Sequence, residues 1–508
     1  MAIVVSHIDS DFDALCARAL RQQPLSDLIE LRLDRVGHPG KERLRAFVKQ
    51  AKKPVIVACH GREAFGEREH DPGERCELLH DAAEAGARFV DVDWSLALEL
   101  GEVKAPCHRI VSRHVLDETP TDLEALHEEV KAVLGEGDVT KIVTHAASCE
   151  DGLRLLRWLA TTKGVVAFCS GAAVSFTRLL APIFGSPFTY CASAVLPGEP
   201  AGEQTAPGQW RVNDFLAALP PGGISQETAV FGVVGNPIGH SLSPRVQGMA
   251  FKAAKLDAVY VAFEPRDLAG FLRLADAPNF RGFSVTAPFK EQAFQLSSGQ
   301  DEASRRTRAV NTLVRERSGW RGANTDVPAV RETLTHAFHY HARSPGRPVA
   351  LAAAHALVLG TGGAARSAVH ALRTLDARVT VAGRNEARAR TLALELGCEH
   401  AAWNAIPALA YDVLVNTTPV GSAAQDPRAL PLPAEWIHPG SLVLDAVYRP
   451  IKTALLGAAH ERGCTSVPGA EWFVRQAALQ FRLFTHQEPD HALLKHAFEH
   501  ALAADERR

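Results

Sequence analysis

The chain has 508 residues, more than one ordinary hydrophobic core accommodates, and this length predicts two to four domains. Hydrophobic residues make up 46% and charged residues 22%, as in globular proteins, and a formal net charge of −3 disfavours a nucleic-acid surface, which requires clustered positive charge. The nine cysteines include no CxxC pair, so they predict reduced thiols in a cytoplasmic protein and neither a disulfide framework nor a zinc site.

The N-terminus enters a strand-like run, Ala2–Val5, without the basic region that precedes the apolar stretch of a signal peptide. No apolar run in the sequence reaches membrane-spanning length. We therefore expect neither secretion nor membrane insertion, and a cytoplasmic location.

Eight apolar, β-rich segments recur about every 20 to 35 residues through the first part of the chain. They are Ala2–Val5, Leu28–Leu33, Pro54–Cys59, Phe89–Asp93, Arg109–Val111, Lys141–Thr144, Val165–Cys169 and Phe188–Cys191. Segments with helical spacing, such as Asp122–Leu134, lie between most of them. Eight strands alternating with helices predict an α/β fold of the (β/α)8 barrel type, although a doubly wound sheet has the same alternation.

Two residues of these strands are candidates for chemistry. His114 follows the strand Arg109–Arg113, at the C-terminal end where barrel enzymes hold catalytic groups, and Lys141 opens the strand Lys141–Thr144. A buried lysine loses its charge readily and can form an imine with a carbonyl, and a nearby histidine can move the proton that the imine acidifies. A lysine at a strand start can also point into solvent, and the spacing leaves this alternative open.

Several motifs accompany these strands: Glu30-Leu31-Arg32-Leu33-Asp34, Ser112-Arg113-His114, Lys141-Ile142, Phe176-Thr177-Arg178 and Ala206-Pro207-Gly208-Gln209. With them, the region from Ile3 to about Gln209 resembles type I 3-dehydroquinate dehydratase. The resemblance implies that Lys141 forms a Schiff base with the substrate ketone, and that His114 takes a proton beside the imine and assists the loss of water. It implies a substrate-binding set of Glu30, Arg32, Arg62, Arg178, Thr205 and Gln209.

The segment after Arg62 departs from the family pattern. The family has Glu-Gly-Gly four residues beyond the arginine, whereas this chain has Glu63-Ala64-Phe65-Gly66-Glu67. Either Glu67 serves with a one-residue shift or the role is lost. Thr205 replaces a usual serine and keeps the hydroxyl.

A Pro/Gly-rich stretch, Leu219–Gly223, predicts a linker, and a second βα series begins at Val230–Gly235. A His/Ala/Pro-rich segment then precedes a third unit, which opens at Ala356–Gly360. We predict a barrel over 1–222, a substrate domain over 228–335, a Rossmann domain over 350–470, and C-terminal helices over 471–508 that pack back on the substrate domain. His336, His339 and His341 fall in the predicted linker, and no metal site is predicted.

The substrate half carries polar residues at strand ends and in loops. Ser241 and Ser243 precede a helix, where Ser243 could instead be an N-cap with Pro244 at the first helical position. Further along are Ser284, Thr286, Lys290, Asn311 and Asp326. Hydroxyl pairs suit a polyol acid, and a lysine ammonium can donate a proton to the alkoxide that forms when hydride reaches a ketone.

A glycine-rich turn, Gly360-Thr361-Gly362-Gly363-Ala364, follows the buried strand Leu357–Leu359 and leads into a helix. Such a turn lets a pyrophosphate approach the free N–H groups of a helix N-terminus, although a plain tight turn reads the same way. The next strand ends at Arg384 and Asn385, where an NAD site places a carboxylate. Arg384 can pair with a 2′-phosphate and therefore favours NADP. Two alternatives stay open: Glu386 could be the carboxylate of an NAD site, or Arg384 could be an exposed arginine that binds no ligand.

In order with Asn416-Thr417 and Gly469–Gln476, these elements make the region from about Val230 to Thr485 resemble the shikimate dehydrogenase family. The resemblance implies a cleft between a substrate domain and a Rossmann domain, with Lys290 and Asp326 as the catalytic pair. It implies substrate contacts from Ser241, Ser243, Ser284, Thr286, Asn311 and Gln476. The implied NADP contacts are Gly360, Gly362, Gly363, Ala364, Arg384, Asn385, Asn416 and Thr417.

Ser284 stands where the family commonly has an asparagine, and Gln247-Gly248 replaces a frequent His-Asn pair. These departures leave shikimate and quinate both open as substrates, and the two hydroxyls at Ser241 and Ser243 favour shikimate. The two resembled enzymes catalyse consecutive steps of the shikimate pathway of aromatic amino acid biosynthesis. We expect small-molecule substrates and no nucleic-acid or membrane partner, with the oligomeric state open. The alternatives are quinate catabolism and a barrel that only binds ligand.

Overall fold

The computed structural model describes residues 1–66, 70–196, 203–342 and 350–506. The chain divides into two compact units. The first comprises Met1–Ala229, Lys255–Val259 and Phe263–Asn279, and the second Val230–Ala254, Tyr260–Ala262 and Phe280–Arg508. Within the described ranges, no helix has both the length and the apolar character that a membrane crossing requires.

The first unit contains a near-closed barrel of eight parallel strands. The strands are β1 (Ala2–Ile8), β2 (Leu28–Arg32), β3 (Val55–Ala58), β4 (Phe89–Asp93), β5 (His108–Val115), β6 (Val139–His145), β7 (Val165–Ser170) and β8 (Phe188–Ala192). Their order is β7-β6-β5-β4-β3-β2-β1-β8, and β1 pairs in parallel with both β2 and β8. The predicted (β/α)8 architecture is therefore confirmed.

Helices connect these strands and cover the outside of the barrel. They are α1 (Phe12–Gln22), α2 (Lys41–Gln50), α3 (Pro72–Ala85), α4 (Ala97–Leu100), α5 (Leu123–Lys131), α6 (Cys149–Leu159), α7 (Phe176–Leu180) and α8 (Val212–Ala218). Asp11, Asp71 and Ser148 cap the N-termini of α1, α3 and α6 with their side chains. The strand residues are buried almost throughout because helices cover their outer face and side chains fill the barrel interior.

A mixed six-stranded sheet follows. Its strands are β9 (Ala229–Val234), β10 (Ala258–Phe263), β11 (Phe280–Val285), β12 (Gly299–Gln300), β13 (Thr312–Glu316) and β14 (Gly319–Ala323), in the order β10-β9-β11-β13-β14-β12. Its helices are α9 (Ser243–Ala253), α10 (Leu268–Leu274), α11 (Lys290–Leu296), α12 (Glu302–Thr307) and α13 (Asp326–His341). The N-cap of α9 is Leu242, so the structure does not support the alternative in which Ser243 is the cap. The Ser241 hydroxyl accepts a hydrogen bond from the Ser243 N–H at 3.3 Å.

The third sheet is entirely parallel. Its strands are β15 (His355–Leu359), β16 (Arg378–Ala382), β17 (Glu399–Ala401), β18 (Val413–Asn416), β19 (Leu442–Asp445) and β20 (Thr465–Val467). Its helices are α14 (Gly363–Arg373), α15 (Glu386–Leu396), α16 (Ala454–Glu461), α17 (Gly469–Thr485) and α18 (His491–Glu506). The order β17-β16-β15-β18-β19-β20 is that of the dinucleotide-binding fold, with the first strand, β15, at the point where the order reverses.

Two segments clarify how the second unit is built. The prediction that His336, His339 and His341 belong to a linker is wrong, because α13 continues to His341, whose buried ring lies 2.8 Å from the Thr465 hydroxyl. The C-terminal helix α18 packs against α9, where Arg245 donates to the Ala501 carbonyl at 3.0 Å.

Candidate active sites

A cavity in the barrel brings together most of the residues predicted for it. Its lining includes Glu30, Arg32, His114, Lys141, Arg178, Thr205 and Gln209. They come from β2, β5, β6 and α7 and from the chain after β8, so the walls of the cavity derive from strands distant in sequence. Ser6, Ala64, Phe65, Val143, Phe168, Tyr190 and Ala206 complete the lining.

The Lys141 side chain points into the barrel, which excludes the solvent-facing alternative. It is 6% exposed, and its Nζ lies 2.6 Å from Oδ2 of Asp91, a carboxylate on β4 without any exposed surface. The other carboxylate oxygen accepts a hydrogen bond from the Ser112 hydroxyl. Nζ also lies 4.6 Å from the ring centroid of Tyr190, over the negative face of the aromatic system. The amine is thus held by one buried anion and one aromatic face at the wall of the cavity.

The surroundings of His114 favour its neutral form. Burial, followed by the positive charges of Lys141 and Arg32, holds its pKa well below the ordinary value. Its Nδ1 is buried without a hydrogen-bond partner among the described residues. A neutral imidazole with an open ring nitrogen can accept a proton from a molecule in the cavity.

The charged lining residues divide into paired and open groups. Arg32 is fixed by Asp34, with Nη2 2.5 Å from Oδ2. Arg178 stacks on Phe168, and its buried Nε has no partner among the residues described, while burial lowers its pKa to about 10. Glu30 accepts from the Ser6 hydroxyl through one oxygen and leaves the other unpartnered within the described chain. Arg178 and Glu30 therefore offer an open cation and an open acceptor to a ligand.

The predicted residue Arg62 does not contribute to the lining of this cavity. It lies in the 3-10 turn after β3, is exposed, and is absent from the cavity lining. His60, two residues earlier, is buried instead: its ring centroid lies 5.3 Å from that of His114, and its Nε2 lies 3.9 Å from Asp91 Oδ1. Glu67, the predicted substitute for the family glutamate, lies outside the described residues.

The second site centres on Lys290, the first residue of α11. Its Nζ lies 2.6 Å from Oδ2 of Asp326, the first residue of α13. The lysine stem lies against Gly363, because a Cβ at that glycine would be 2.8 Å from Lys290 Cδ and 2.9 Å from its Cβ. The absence of a side chain at Gly363 therefore lets the lysine approach the glycine-rich turn.

The side chains predicted to contact the substrate differ in how many of their hydrogen bonds go to other protein groups. The Ser284 hydroxyl accepts from Tyr260 at 2.6 Å and donates its single proton to Gln480 at 2.7 Å, so it has no donor left for a ligand. Asn311 bonds through both ends of its amide to Thr325 and Thr312. Thr286 and Gln476 are half-buried, and Gln476 donates to the Phe473 carbonyl at 3.1 Å. Protein partners thus hold the side chains of Ser284 and Asn311 in place.

The glycine-rich turn fits a dinucleotide. Gly360 has φ +118° and passes so close to Thr417 that a Cβ would lie 2.4 Å from the hydroxyl oxygen. Gly362 precedes α14 without a side-chain cap, which leaves the N–H groups of this 11-residue helix open at the turn, where Ala364 also lies. The sheet order puts this turn at the crevice where such folds bind dinucleotides.

The remaining predicted cofactor residues have mixed roles. Arg384 is exposed after β16, and Glu386 pairs with Arg390 at 3.5 Å, so the nearby carboxylate has a cationic partner of its own. Asn385 caps α15. Asn416 bonds to Asp445, and Thr417 donates to the Leu359 carbonyl, so these two side chains shape the sheet end.

Comparison with known proteins agrees with this geometry. Residues 3–223 match the family model of type I 3-dehydroquinase, and residues 233–313 match that of the shikimate dehydrogenase substrate binding domain. The bifunctional 3-dehydroquinate dehydratase/shikimate dehydrogenase of Arabidopsis thaliana, named as chloroplastic, is 31% identical over 487 residues, covering 91% of this chain and 78% of the relative. The chain belongs to this bifunctional family.

Other relatives match only about half of this chain. A Halobacterium salinarum shikimate dehydrogenase (NADP(+)) is 39% identical over 260 residues, covering 50% of this chain and 93% of that protein. The crystal structure of a Thermus thermophilus shikimate 5-dehydrogenase in complex with NADP(H) and shikimate shares 34% identity, with a TM-score of 0.47, covering 54% of this chain and all of that one.

Sequence reasoning missed several residues of this bifunctional enzyme's sites. Asp91 could have been noticed, since it is one of two carboxylates in the otherwise apolar strand Phe89–Asp93. His60, just after β3, and Tyr190, in β8, carry no local signal, because the residues that they contact in the site are far away in sequence. Trp472, which bonds to Asp326, is likewise indistinguishable from a core residue of α17.

Proposed function

We propose that the barrel converts 3-dehydroquinate to 3-dehydroshikimate and water, and that the second unit reduces 3-dehydroshikimate to shikimate with NADPH. The observation that carries this proposal is the pair of lysine–carboxylate contacts: Lys141–Asp91 at the wall of the barrel cavity, and Lys290–Asp326 beside the glycine-rich turn. The names of the similar Arabidopsis and Halobacterium proteins describe the same two reactions and NADP.

In the barrel, Lys141 gives up a proton and its amine attacks the substrate carbonyl carbon; loss of water leaves a protonated imine. Neutral His114 then takes a proton from the carbon beside the imine, and the electron pair expels the neighbouring hydroxyl, which leaves as water with the proton returned by His114. Hydrolysis of the imine releases the product and restores the amine. Arg178 supplies an open cation for the substrate carboxylate, and Glu30 an open acceptor for its hydroxyls.

In the second unit, NADPH supplies the hydride. Lys290 donates a proton from Nζ to the developing alkoxide, and Asp326 orients the ammonium. The open N–H groups at the start of α14 would hold the pyrophosphate, and Arg384 the 2′-phosphate. Replacing Arg384 by alanine should raise the KM for NADPH and leave that for NADH unchanged.

We further propose the partition into functional domains over 1–222, 228–335, 350–470 and 471–508. The packing of α18 on α9 supports the assignment of the last segment to the substrate domain. The cytoplasmic location stays a prediction, to be tested by localising the chain in its own cells.

A coupled assay tests the function. Purified protein given dehydroquinate and NADPH should oxidise NADPH, and Lys141→Met should abolish this signal until dehydroshikimate is added. Failure of the wild type to use dehydroquinate, with normal use of dehydroshikimate, would leave a binding-only barrel. Faster turnover of quinate than of shikimate, in the oxidative direction, would favour the quinate alternative.

A further inference from the structure

The two oxygens of the Asp326 carboxylate have different partners. Oδ2 lies 2.6 Å from Lys290 Nζ, and Oδ1 accepts a hydrogen bond from the indole Nε1–H of Trp472 at 3.2 Å. As whole residues, Asp326 and Trp472 are each 5% exposed, so little water competes for either contact. A hydrogen bond to a charged acceptor in such surroundings is stronger than one between neutral groups, and it acts on the orientation of the carboxylate.

The main chain of Asp326 is held separately from its side chain. Its backbone N–H donates to Asn324 Oδ1 at 3.1 Å, and the Asn324 amide is anchored in turn on Thr307 and Ser367. Among the described residues, Lys290 and Trp472 are the donors to the carboxylate itself. Without the indole, the carboxylate would therefore keep its place in the chain but lose one of its two orienting contacts.

The indole is in turn fixed by the nucleotide-binding sheet. At the start of α17, Gly469 lies against the carbonyls of residues 445–447, since a Cβ there would be 2.6 to 2.8 Å from them. This contact sets the first turn of α17 on the end of β19. Trp472 lies three residues after Gly469 on the same helix. Its side chain packs in a core that includes Leu444, Val467 and Val330. The ring contacts Asp326 through its N–H edge, which donates the hydrogen bond to the carboxylate.

We infer that Trp472 is a positioning residue for the reduction: it orients Asp326 so that the carboxylate holds the Lys290 ammonium toward the substrate ketone. The inference rests on the proposed function of the second unit. It assigns to α17, through one buried N–H, a role in proton transfer distinct from substrate or cofactor binding.

Two variants at this position separate the N–H from the ring. Trp472→Phe removes the donor and part of the volume, whereas β-(3-benzothienyl)alanine at position 472 replaces the N–H by sulfur in a ring of nearly the same shape. Trp320→Phe is a matched control, because Trp320 is 7% exposed and packs on Phe283 at 4.9 Å away from the catalytic pair. Steady-state kinetics in both substrates, with the dehydratase rate as the measure of intact protein, give the readout.

Loss of the N–H should lower kcat of the dehydrogenase about tenfold, with the KM values for shikimate and NADP changed less than about twofold, in both Trp472 variants. Trp320→Phe should leave kcat within about twofold of the wild type. If the benzothienyl variant turns over like the wild type, or if KM rises with kcat unchanged, the inference is wrong even where Trp472→Phe fails to fold. A wild type that does not reduce dehydroshikimate refutes the proposed function itself, which is a different result.

Discussion

The two lysines that we propose as catalytic, Lys141 and Lys290, make the same contact in different surroundings. Each ammonium lies 2.6 Å from a carboxylate oxygen, but the Lys141 side chain is 6% exposed and its aspartate 0%, against 15% and 8% for Lys290 and Asp326. Lys141 projects from a strand into a cavity that His114 and the Tyr190 ring also line. Lys290 begins a helix and lies against the glycine of a nucleotide-binding turn.

This difference teaches that the ion pair alone does not determine the chemistry. An amine that must bond to carbon needs two things. One is a site that stabilises either the uncharged amine or the iminium that it forms, and the other is a base nearby. An ammonium that must only give up a proton needs an orienting carboxylate and a hydride source nearby. The surroundings of each lysine match one of these requirements, and the predictions below test the match.

The largest effect should follow from replacing Lys141 by arginine. The guanidinium keeps the positive charge beside Asp91 but cannot form an imine, so the dehydratase rate should fall by at least about 10^4-fold. Product formation from dehydroquinate measures it, and the dehydrogenase rate of the same preparation should be unchanged. Substantial residual dehydration would mean that charge, and not nucleophilicity, is what the site uses.

Replacing Asp326 by asparagine should have the next largest effect. The neutral amide cannot hold the Lys290 ammonium as a carboxylate does, and the dehydrogenase kcat should fall about 100-fold. Dehydration should proceed at the wild-type rate. Asp91→Asn should give the reverse result: a lower dehydration rate and an unchanged dehydrogenase rate. Loss of both activities in either variant would contradict the existence of two separate sites.

A smaller effect should distinguish His60 from Arg62 in the barrel. His60→Leu removes a ring that packs on His114 and should lower the dehydratase rate about tenfold, since small misplacements of a base are costly. Arg62→Ala, at an exposed position, should change the rate less than about twofold. The opposite ranking would restore the role that the family resemblance implies for Arg62.

The last prediction concerns stability in the nucleotide-binding half and not a reaction rate. Burial raises the pKa of Asp445 from 3.8 to about 6, so the folded protein holds this proton more tightly than the unfolded chain. The resulting stabilisation is fully present below about pH 3.8 and is lost as the pH rises through about 6. The shift of the pKa corresponds to a contribution of about 3 kcal/mol at most to the free energy of unfolding. Asp445→Asn should reduce the change in melting temperature of the second unit between pH 4 and pH 7; an unchanged pH dependence would contradict the assignment.

Local sequence patterns predicted the strands well and side-chain contacts poorly. The apolar runs Pro54–Cys59 and Val165–Cys169 correspond to β3 and β7 within a residue, because strands buried on both faces are predominantly apolar. The end of α13 was missed, since its histidines and the proline beyond them resemble a linker.

The sites show the same division. Motif resemblance identified Lys141 and Lys290, whereas their surroundings depend on residues far away in sequence: Asp91 lies 50 positions before Lys141, and Trp472 lies 146 positions after Asp326. Neither spacing has any periodicity that a local pattern could reveal. The contact between the rings of His60 and His114 likewise had no signal in the sequence and comes from the structure alone.

The most direct test of the difference between the two lysines is borohydride reduction of the full chain in the presence of dehydroquinate, followed by peptide mass analysis. We expect a covalent adduct on Lys141, absent in Lys141→Arg, and none on Lys290. An unmodified Lys141 in a protein that still dehydrates the substrate, or an adduct on Lys290, would contradict the account.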